Sequence, residues 1–287
     1  VRDIKTNEII TDKIENTSGS VLFSLDDKFI FYSKLDENHR PKKIFRHEIG
    51  KSIKEDLLIF EERTPAFTVS IGISADEKYY FINSSDHNTS EKYYFKSNES
   101  LPKPKIVRKR EKGIIYSVSS WGGYFYIHTN KGAEDFKIER SRDIEASKWE
   151  VFIPAKNETM IGGLTFLKNW IIRSELNNAL DKIFVRDVNS NKEEELIFTD
   201  EEVYDGSISH TQKDRNTDLI YISYSTPKTQ ARTYLYNLKT KEKKLVKEQV
   251  IPTGHDPKKY IVQRIECNSD DGRKVPLTIT RHKDTPL

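Results

Sequence analysis

A short strand motif recurs along the chain at nearly constant spacing. In each copy apolar and charged residues alternate, and the second positions of five copies are residues 45, 95, 138, 185 and 235, at intervals of 50, 43, 47 and 50 residues. A period in this range, with about four strands per repeat, is typical of the blades of a β-propeller. The copies are Ile44–His47, Tyr94–Ser97, Lys137–Arg140, Phe184–Asp187 and Tyr234–Asn237.

Three more strands are predicted around each copy. A pair of continuously apolar segments precedes it, as expected for inner strands that are buried on both faces, and a more charged segment follows it as the outer strand. The inner pairs are Val21–Leu25 with Phe29–Lys34, Thr68–Ser74 with Tyr79–Asn83, Ile114–Trp121 with Tyr124–Thr129, Gly163–Leu167 with Trp170–Glu175, and Ser207–His210 with Asp218–Ser225. The outer segments are Leu57–Glu61, Lys105–Arg108, Trp149–Ile153, Glu195–Phe198 and Lys244–Lys247.

These patterns predict an all-β fold, a β-propeller with four-stranded blades, with about five complete blades in residues 15–250. Helical periodicity is weak, and its best candidate is the charged stretch Asp143–Trp149. The first residues, Val1-Arg2-Asp3-Ile4, copy Val185-Arg186-Asp187-Val188, and Val1 lies 44 residues before Phe45. We therefore expect residues 1–14 to be the remnant of a preceding blade.

Charge and composition exclude several classes of partner. Lys and Arg number 48 and Asp and Glu 45, so the net charge of +3 argues against a nucleic-acid surface. The most basic run, Lys103–Arg110, is interpreted as a solvated edge strand. No apolar segment is long enough to span a bilayer and no signal peptide is present at Val1, so we expect a cytoplasmic protein without membrane partners. The single cysteine, Cys267, excludes an internal disulfide and is expected to be a buried, inert thiol.

Motifs along the whole chain resemble one family. They include Glu15–Val21, Leu35–Pro41, Ser85–Glu91, Gly132–Lys137, Ser223–Pro227, Gly254–Pro257, Asp271–Leu277 and Arg281–Leu287. In order and spacing they resemble the prolyl oligopeptidase family of serine peptidases, and within it the oligopeptidase B branch.

The resemblance implies a seven-bladed propeller that caps an α/β-hydrolase domain, with a Ser-Asp-His triad in the hydrolase. On that layout the chain holds the end of blade two, blades three to seven, and then, in residues 251–287, the connector and first strands of a truncated hydrolase. Val275–Arg281 would be an early strand of the hydrolase sheet. The parent protein is then a serine oligopeptidase that cleaves short peptides after Arg or Lys.

The chain lacks the family's nucleophile motif. A hydrolase serine sits on a strained turn of pattern G-x-S-x-G, and this pattern does not occur. None of the seven histidines is predicted to pair with a nucleophile. We therefore expect no catalytic residues and no activity from the chain alone.

Metal and cofactor sites are not predicted. Asp200–Glu202 and Glu193–Glu195 lack the turn glycine and alternating ligands of a calcium loop. His87 beside Asp86, and His255 beside Asp256, have no further ligand at a suitable spacing, so turn hydrogen bonding is the favoured interpretation.

The segment with a functional expectation is Glu15, Asn16, Thr17 and Ser18. It leads into the first complete blade, and in the family the corresponding loop comes close to the substrate. These four residues are therefore expected to be substrate-proximal in the intact enzyme, although a plain interblade turn remains the alternative.

Two function classes remain open. The first is the non-catalytic propeller of an oligopeptidase B-like peptidase, which admits short basic peptides by size and works with a catalytic domain in the same or a separate chain. The second is a stand-alone propeller that binds a peptide or protein. In either case exposed faces of the first and last blades predict self-association or closure into a five-bladed ring. The apolar residues at those faces are Val21, Leu22, Phe23 and Leu25 at one end and Leu219, Ile220, Tyr221 and Ile222 at the other.

Overall fold

Five antiparallel sheets of four strands each follow one another along the chain. The computed structural model describes residues 2–9, 12–210 and 215–286. Val1 and Leu287, which belong to two of the sequence motifs, lie outside the described residues, as does part of the loop that precedes Asp218. The chain divides into two compact units, Val1–Pro154 and Ala155–Leu287, each of which is described by itself.

The first unit contains three of the sheets. In each sheet every strand pairs with its neighbour in sequence. The first sheet consists of β1 (Thr17–Phe23), β2 (Phe29–Leu35), β3 (Pro41–Glu48) and β4 (Leu57–Glu61). The second consists of β5 (Thr68–Ile73), β6 (Tyr79–Ser85), β7 (Ser90–Lys96) and β8 (Lys105–Arg108), and the third of β9 (Tyr116–Trp121), β10 (Tyr124–Thr129), β11 (Lys137–Ser141) and β12 (Glu150–Ile153).

The second unit contains two four-stranded sheets and a hairpin. The fourth sheet consists of β13 (Thr159–Leu167), β14 (Trp170–Asn177), β15 (Leu180–Asp187) and β16 (Glu193–Glu195). The fifth consists of β17 (Asp205–His210), β18 (Leu219–Thr226), β19 (Thr229–Asn237) and β20 (Lys243–Glu248). The hairpin consists of β21 (Tyr260–Asn268) and β22 (Lys274–His282), and the latter contains the predicted strand Val275–Arg281.

The predicted four-stranded repeats are confirmed, one outer strand is wrongly placed, and the weak helical candidate is not a helix, in keeping with the all-β prediction. The fourth outer strand was expected at Glu195–Phe198, but β16 ends at Glu195, and Leu196 and Phe198 enter the apolar core of the second unit. Asp143–Trp149 forms turns instead of a helix, and the Trp149 ring nitrogen donates to Ala146 O at 3.1 Å. Among the described residues the only helical elements are two three-residue 3₁₀ turns, at Ile53–Glu55 and Pro257–Lys259.

The same side-chain turn joins the first two strands of the first and second sheets. Ser24 Oγ donates to Asp26 Oδ1 at 2.6 Å and accepts from Phe29 N at 2.9 Å. Ser74 makes the equivalent bonds to Asp76 at 2.7 Å and Tyr79 N at 3.0 Å. Such local bonds replace missing backbone partners and fix a tight turn.

The sheets of each unit pack face to face through apolar side chains. In the first unit Phe31 contacts Tyr80 with ring centroids 4.8 Å apart, and these residues belong to a core of Phe31, Ile44, Ile59, Val69, Tyr80, Ile82 and Phe95. In the second unit the core joins the fourth and fifth sheets and includes Leu167, Ile172, Ile183, Val185, Leu196, Phe198, Ile220 and Ile222. Burial of these faces is the main favourable contribution to folding.

Two features of the surface differ from the sequence expectations. β1 is mostly exposed, with Val21 at 57% and Leu25, which follows it, at 51% exposure, so this inner strand is not buried on both faces. Cys267 is exposed and not a buried thiol.

In the described part of the chain no helix is long and apolar enough to cross a membrane.

Candidate substrate-facing site

The segment Glu15–Ser18 lies at the start of the edge strand β1. Asn16 has a positive φ of 56°, and its carbonyl accepts from Leu35 N at 2.8 Å, which ties the segment to the end of β2. Thr17 pairs with Lys34, and the register shifts between Thr17 and Val21, as in a β-bulge. The backbone of the segment is therefore anchored by β2.

The side chains of this segment are available to solvent. Glu15, Asn16 and Ser18 are exposed and Thr17 is half-buried. The carboxylate of Glu15 lies 2.6 Å from Lys13 Nζ, and both side chains are largely exposed. An exposed pair of this kind contributes little to stability, so the carboxylate remains available to another cation.

The end of the first two sheets at which Glu15–Ser18 lies is called here the linker end. It also carries the β2–β3 turn and residues 62–67, which lead to β5. In the turn, Asp36 Oδ1 accepts from Asn38 N and Arg40 N, both at 2.9 Å. The hydrogen bonds from the Arg40 and Asn38 amides stabilise the carboxylate of Asp36. They outweigh the opposing effect of burial and lower the pKa of Asp36.

A buried ion cluster lies at the linker end between the first two sheets. Arg110 NH2 lies 2.7 Å from both Glu62 Oε2 and Glu91 Oε2. Both carboxylates are almost fully buried, and the guanidinium stacks over the Phe67 ring with its carbon 4.1 Å from the centroid. Buried charges persist only when they are paired in this way.

The protonation states in this cluster are strongly biased. Burial alone raises the pKa of Glu62, but hydrogen bonds from Ser84, Arg110 and the Thr64 amide outweigh it and lower the pKa to about 2. The pKa of Glu91 is also lowered, since bonds from Arg110 overcome its burial. Both groups are therefore carboxylates at neutral pH, and neither can serve as a general acid there.

Lys42 fixes the connection between the first two sheets. Its buried ammonium donates to the carbonyl oxygens of Thr64 at 2.6 Å, Pro65 at 3.0 Å and Phe67 at 2.5 Å. Three acceptors satisfy the three donors of a lysine. The connection that carries Phe67 beneath Arg110 is therefore held in one conformation.

The second unit contains an ion cluster of the same kind. Arg173 Nε lies 2.7 Å from Glu175 Oε1, and its two terminal nitrogens lie 2.9 and 3.0 Å from the oxygens of Glu193. Lys156 Nζ contacts both oxygens of Glu175, at 2.7 and 2.8 Å. Burial raises the pKa of Glu193, but Arg173 and Arg186 outweigh this and lower it.

The sequence reasoning missed both ion clusters. Lys103–Arg110 is correctly placed around an edge strand, but Arg108 and Arg110 are not simply solvated: Arg108 lies 3.1 Å from Glu139, and Arg110 joins the buried cluster. The one sequence pattern that could have indicated a buried charge was the position of Glu62 and Glu91 within or beside apolar strands. Partners 48 residues apart, such as Glu62 and Arg110, follow no local period.

The acidic turns have the predicted hydrogen bonds. Asp86 Oδ1 accepts from Asn88 N at 2.8 Å and Thr89 N at 2.7 Å, and Asp256 accepts from Lys258 N at 3.0 Å. His255 Nε2 lies 2.7 Å from Lys228 O. Across residues 2–9, 12–210 and 215–286, no group of three or more His, Cys, Asp or Glu side chains is arranged to hold a metal ion.

Two cavities lie at the opposite end of the first unit. One, of about 520 Å³, lies between the second and third sheets, where Tyr94 donates to Glu145 at 2.6 Å and Lys105 Nζ lies 3.0 Å from the same oxygen. The other, of about 440 Å³, lies between the first two sheets beside Arg46 and Asp26. Neither cavity is lined by the Glu15–Ser18 segment.

Comparison with known proteins identifies the family. The family model for the prolyl oligopeptidase N-terminal β-propeller domain matches residues 1–249. Protease 2 of Moraxella lacunata is 29% identical over 282 residues, covering 97% of this chain and 40% of the relative. Dipeptidyl aminopeptidase BI of Pseudoxanthomonas mexicana is 27% identical over 288 residues, covering 99% of this chain and 39% of the relative.

Solved structures agree with this assignment. The closed form of oligopeptidase B from Trypanosoma brucei with covalently bound antipain has a TM-score of 0.88 and 26% identity, over 97% of this chain and 41% of that one. Oligopeptidase B from Leishmania major shows the same fold, with a TM-score of 0.88. The chain spans about 40% of the length of the curated relatives it matches. It therefore belongs to the prolyl oligopeptidase family, in agreement with the oligopeptidase B branch, and residues 1–249 match the family's N-terminal β-propeller domain.

Proposed function

We propose that the chain is the non-catalytic propeller portion of an oligopeptidase B-like serine peptidase that cleaves short peptides after Arg or Lys. The observation that carries the proposal is similarity to Protease 2 over 97% of the chain, together with the structural match to oligopeptidase B holding antipain. An α/β-hydrolase domain, in the same chain or a separate one, supplies the triad. Similarity to peptidases over almost the whole chain favours this function over a free-standing binding module.

The propeller's role in this proposal is steric. A cap built of rigid sheets admits a flexible peptide and excludes a folded protein from the catalytic domain. The buried ion clusters support rigidity, because each joins connections and strands that would otherwise move independently. Opening between the propeller and the catalytic domain would then be the step that limits which substrates enter.

The test uses the coding region downstream of residue 287, searched for G-x-S-x-G and expressed together with this chain. The purified product should hydrolyse Arg-ended and Lys-ended chromogenic peptides and lose this activity with a serine-directed inhibitor. It should leave uncut a folded protein that contains the same Arg or Lys cleavage sequence. The isolated chain should show no inhibitor-sensitive turnover. Activity of the isolated chain, or equal cleavage of the folded protein, would contradict the proposal.

The segment Glu15–Ser18 is proposed to lie near the substrate in the assembled enzyme. Its support is exposure of three of the four side chains and anchoring of the backbone by Leu35. Replacing Glu15→Gln should raise KM for basic peptides about two- to fivefold with unchanged kcat, as expected for loss of one exposed charge contact. Glu37→Gln, in the nearby exposed turn, is the matched control, and equal effects of the two changes would refute proximity.

Ile220 and Ile222, expected at an exposed face of the last blade, are instead buried in the core of the second unit, so self-association is proposed through the outer face of the first sheet alone. Val21, Tyr32, Phe45 and Leu58 form one row across the four strands, and Val21 and Leu58 are 57% and 46% exposed. Tyr32 in the middle of the row is buried, so the exposed apolar area lies at the two edge strands, and exposed apolar area of this kind favours association. Light scattering at several concentrations should show a mass above the monomer, which Val21→Lys lowers. A monomer at every concentration would contradict it.

A further inference from the structure

The His47 imidazole is completely buried and lies between two carboxylates. Its Nδ1 lies 2.6 Å from Asp56 Oδ1, and its Nε2 lies 3.2 Å from Asp12 Oδ2. Asp12 Oδ2 also accepts from Gly50 N at 2.6 Å, and Asp56 Oδ2 accepts from the Tyr32 hydroxyl at 2.7 Å. These five residues are called here the Asp12 clasp.

The clasp joins a segment outside the sheet to the sheet itself. His47 lies on β3, Tyr32 on β2, and Asp56 immediately before β4, whereas Asp12 lies in the segment that leads to β1. The described residues show two connections from this segment to the sheet: the Asp12 contacts and the bond from Leu35 N to Asn16 O. Loss of the first would leave the segment held mainly by the second.

The chemistry of the clasp requires a protonated ring. A neutral imidazole has one N–H and one lone pair, so it can donate to only one of two carboxylates and would present a lone pair to the other. The imidazolium donates to both. It also carries the positive charge that two neighbouring buried carboxylates need.

Other charged groups around the ring do not replace this role. Tyr32 reaches the ring only through Asp56, and Gly50 contributes a backbone amide to Asp12. Arg46 and Glu48, which neighbour His47 on β3, point to the opposite face by the alternation of a strand, and Arg46 donates to Ser100 O. Within the described part of the chain the ion-pair partners of His47 are Asp12 and Asp56.

We propose that the Asp12 clasp is a pH-sensitive device that holds residues 12–15 against the first sheet while His47 carries a proton, and releases them when the proton is lost as pH rises. The clasp thereby positions the segment that continues into Glu15–Ser18. Its consequence for substrate access rests on the proposed function, whereas the holding and release of the segment do not.

The direction of the pH effect follows from two pKa shifts. Burial lowers the pKa of His47, but hydrogen bonds and charge from Asp56 and Asp12 outweigh it, so the pKa is raised above 6.5. Its stabilising contribution is therefore complete below about pH 6.5 and is lost as pH rises through the raised value. Burial raises the pKa of Asp12, but Gly50 and His47 outweigh it and lower it below 3.8, so the clasp is also complete above about pH 4.

The test follows the ring and the segment separately in the full 287-residue chain. The ¹⁵N shifts of the His47 ring report its titration, and amide exchange of Gly50 and Leu35, corrected for the intrinsic rate at each pH, reports closure of the segment. Asp12→Asn removes the segment's charge and leaves His47 in place. His39→Gln, in the exposed β2–β3 turn, is the matched control.

We expect His47 to titrate above 6.5 in the native chain and about one unit lower in Asp12→Asn, a tenfold change in its protonation equilibrium. Gly50 protection should fall about tenfold between pH 6 and pH 9 in the native chain and in His39→Gln, and should be low at both pH values in Asp12→Asn. An unchanged His47 midpoint in Asp12→Asn, or equal Gly50 protection at both pH values in the native chain, would overturn the proposal. Neither readout uses peptidase activity, so failure of the clasp is distinguishable from failure of the proposed function.

Discussion

The Tyr116 hydroxyl holds the junction between β7 and β8, and its removal should have a large effect on stability. This hydroxyl accepts from Lys92 N at 2.8 Å and Arg108 N at 3.2 Å, and donates to Arg108 O at 2.6 Å. The register of the two strands shifts between Lys92 and Tyr93, so the phenol bonds backbone groups close to this irregularity. Burial raises the pKa of Tyr116 to about 12, so the hydroxyl keeps its proton at neutral pH.

The change Tyr116→Phe isolates the hydroxyl because the ring, which is 3% exposed, keeps its volume. Three backbone groups lose a partner, and a buried unsatisfied group costs about 1–3 kcal/mol. Since β8 is an edge strand and water can reach part of it, we expect a loss of about 2–3 kcal/mol in the free energy of unfolding. With a urea dependence of about 3 kcal/mol per molar, the midpoint should fall by about 0.7–1 M.

Urea unfolding followed by circular dichroism measures the midpoint, and amide exchange locates the effect. The Lys92 and Arg108 amides should exchange faster in Tyr116→Phe, whereas amides of the second unit should not. Tyr124→Phe, on the next strand of the same sheet, is the control, with an expected change within about 0.5 kcal/mol. A Tyr116→Phe change no larger than the control, or unchanged exchange at Lys92 and Arg108, would refute the assigned role.

Three further predictions follow from packing, charge and strand content. Glu62→Gln should be less stable than the native chain at pH 6, and the difference should shrink as pH falls from 4.5 towards 2. The lowered pKa of Glu62 stabilises the native chain in full above pH 4.5 and progressively less between 4.5 and 2, so a constant difference in the free energy of urea unfolding would contradict this. Gly162→Ala should destabilise the second unit, since its Cβ would lie 2.1 Å from Ser174 Oγ and 2.9 Å from Ser174 O, whereas Gly163→Ala, with nothing within 4 Å, should not; equal melting temperatures would show that the strand adjusts. Far-ultraviolet circular dichroism should show a strand-dominated spectrum, and a helical spectrum would refute the fold.

The periodic features of the fold could be predicted from the sequence, because they depend on local patterns. The aromatic and β-branched runs and the repeated Ser-x-Asp turn at Ser24 and Ser74 each lie within a few residues. The core positions of Leu196 and Phe198 could not be predicted, because the same alternation of apolar residues suits an outer strand, whereas β16 ends at Glu195 and both side chains are buried in the core of the second unit.

The buried charges could not be predicted for a different reason. Asp12 and His47 are 35 residues apart, and Arg110 is 48 residues from Glu62, so each pairing depends on how strands and sheets pack. A carboxylate in a solvated turn and one in a buried ion pair have the same local sequence signal. Glu15–Ser18 leads into the first strand of the first sheet, as the sequence predicted, whereas its nearness to substrate stays a prediction.

The up-and-down strand order has a consequence for folding rates. Every strand pairing within the five four-stranded sheets joins neighbours in sequence, so no pairing requires closure of a long loop. The entropy of loop closure is then small at each step, and each sheet can form from its own contiguous segment of chain. Docking of the apolar sheet faces, which must wait for two formed sheets, should therefore limit the folding rate of each unit, and substitutions at Phe31 or Tyr80 should slow folding more than substitutions in the turns.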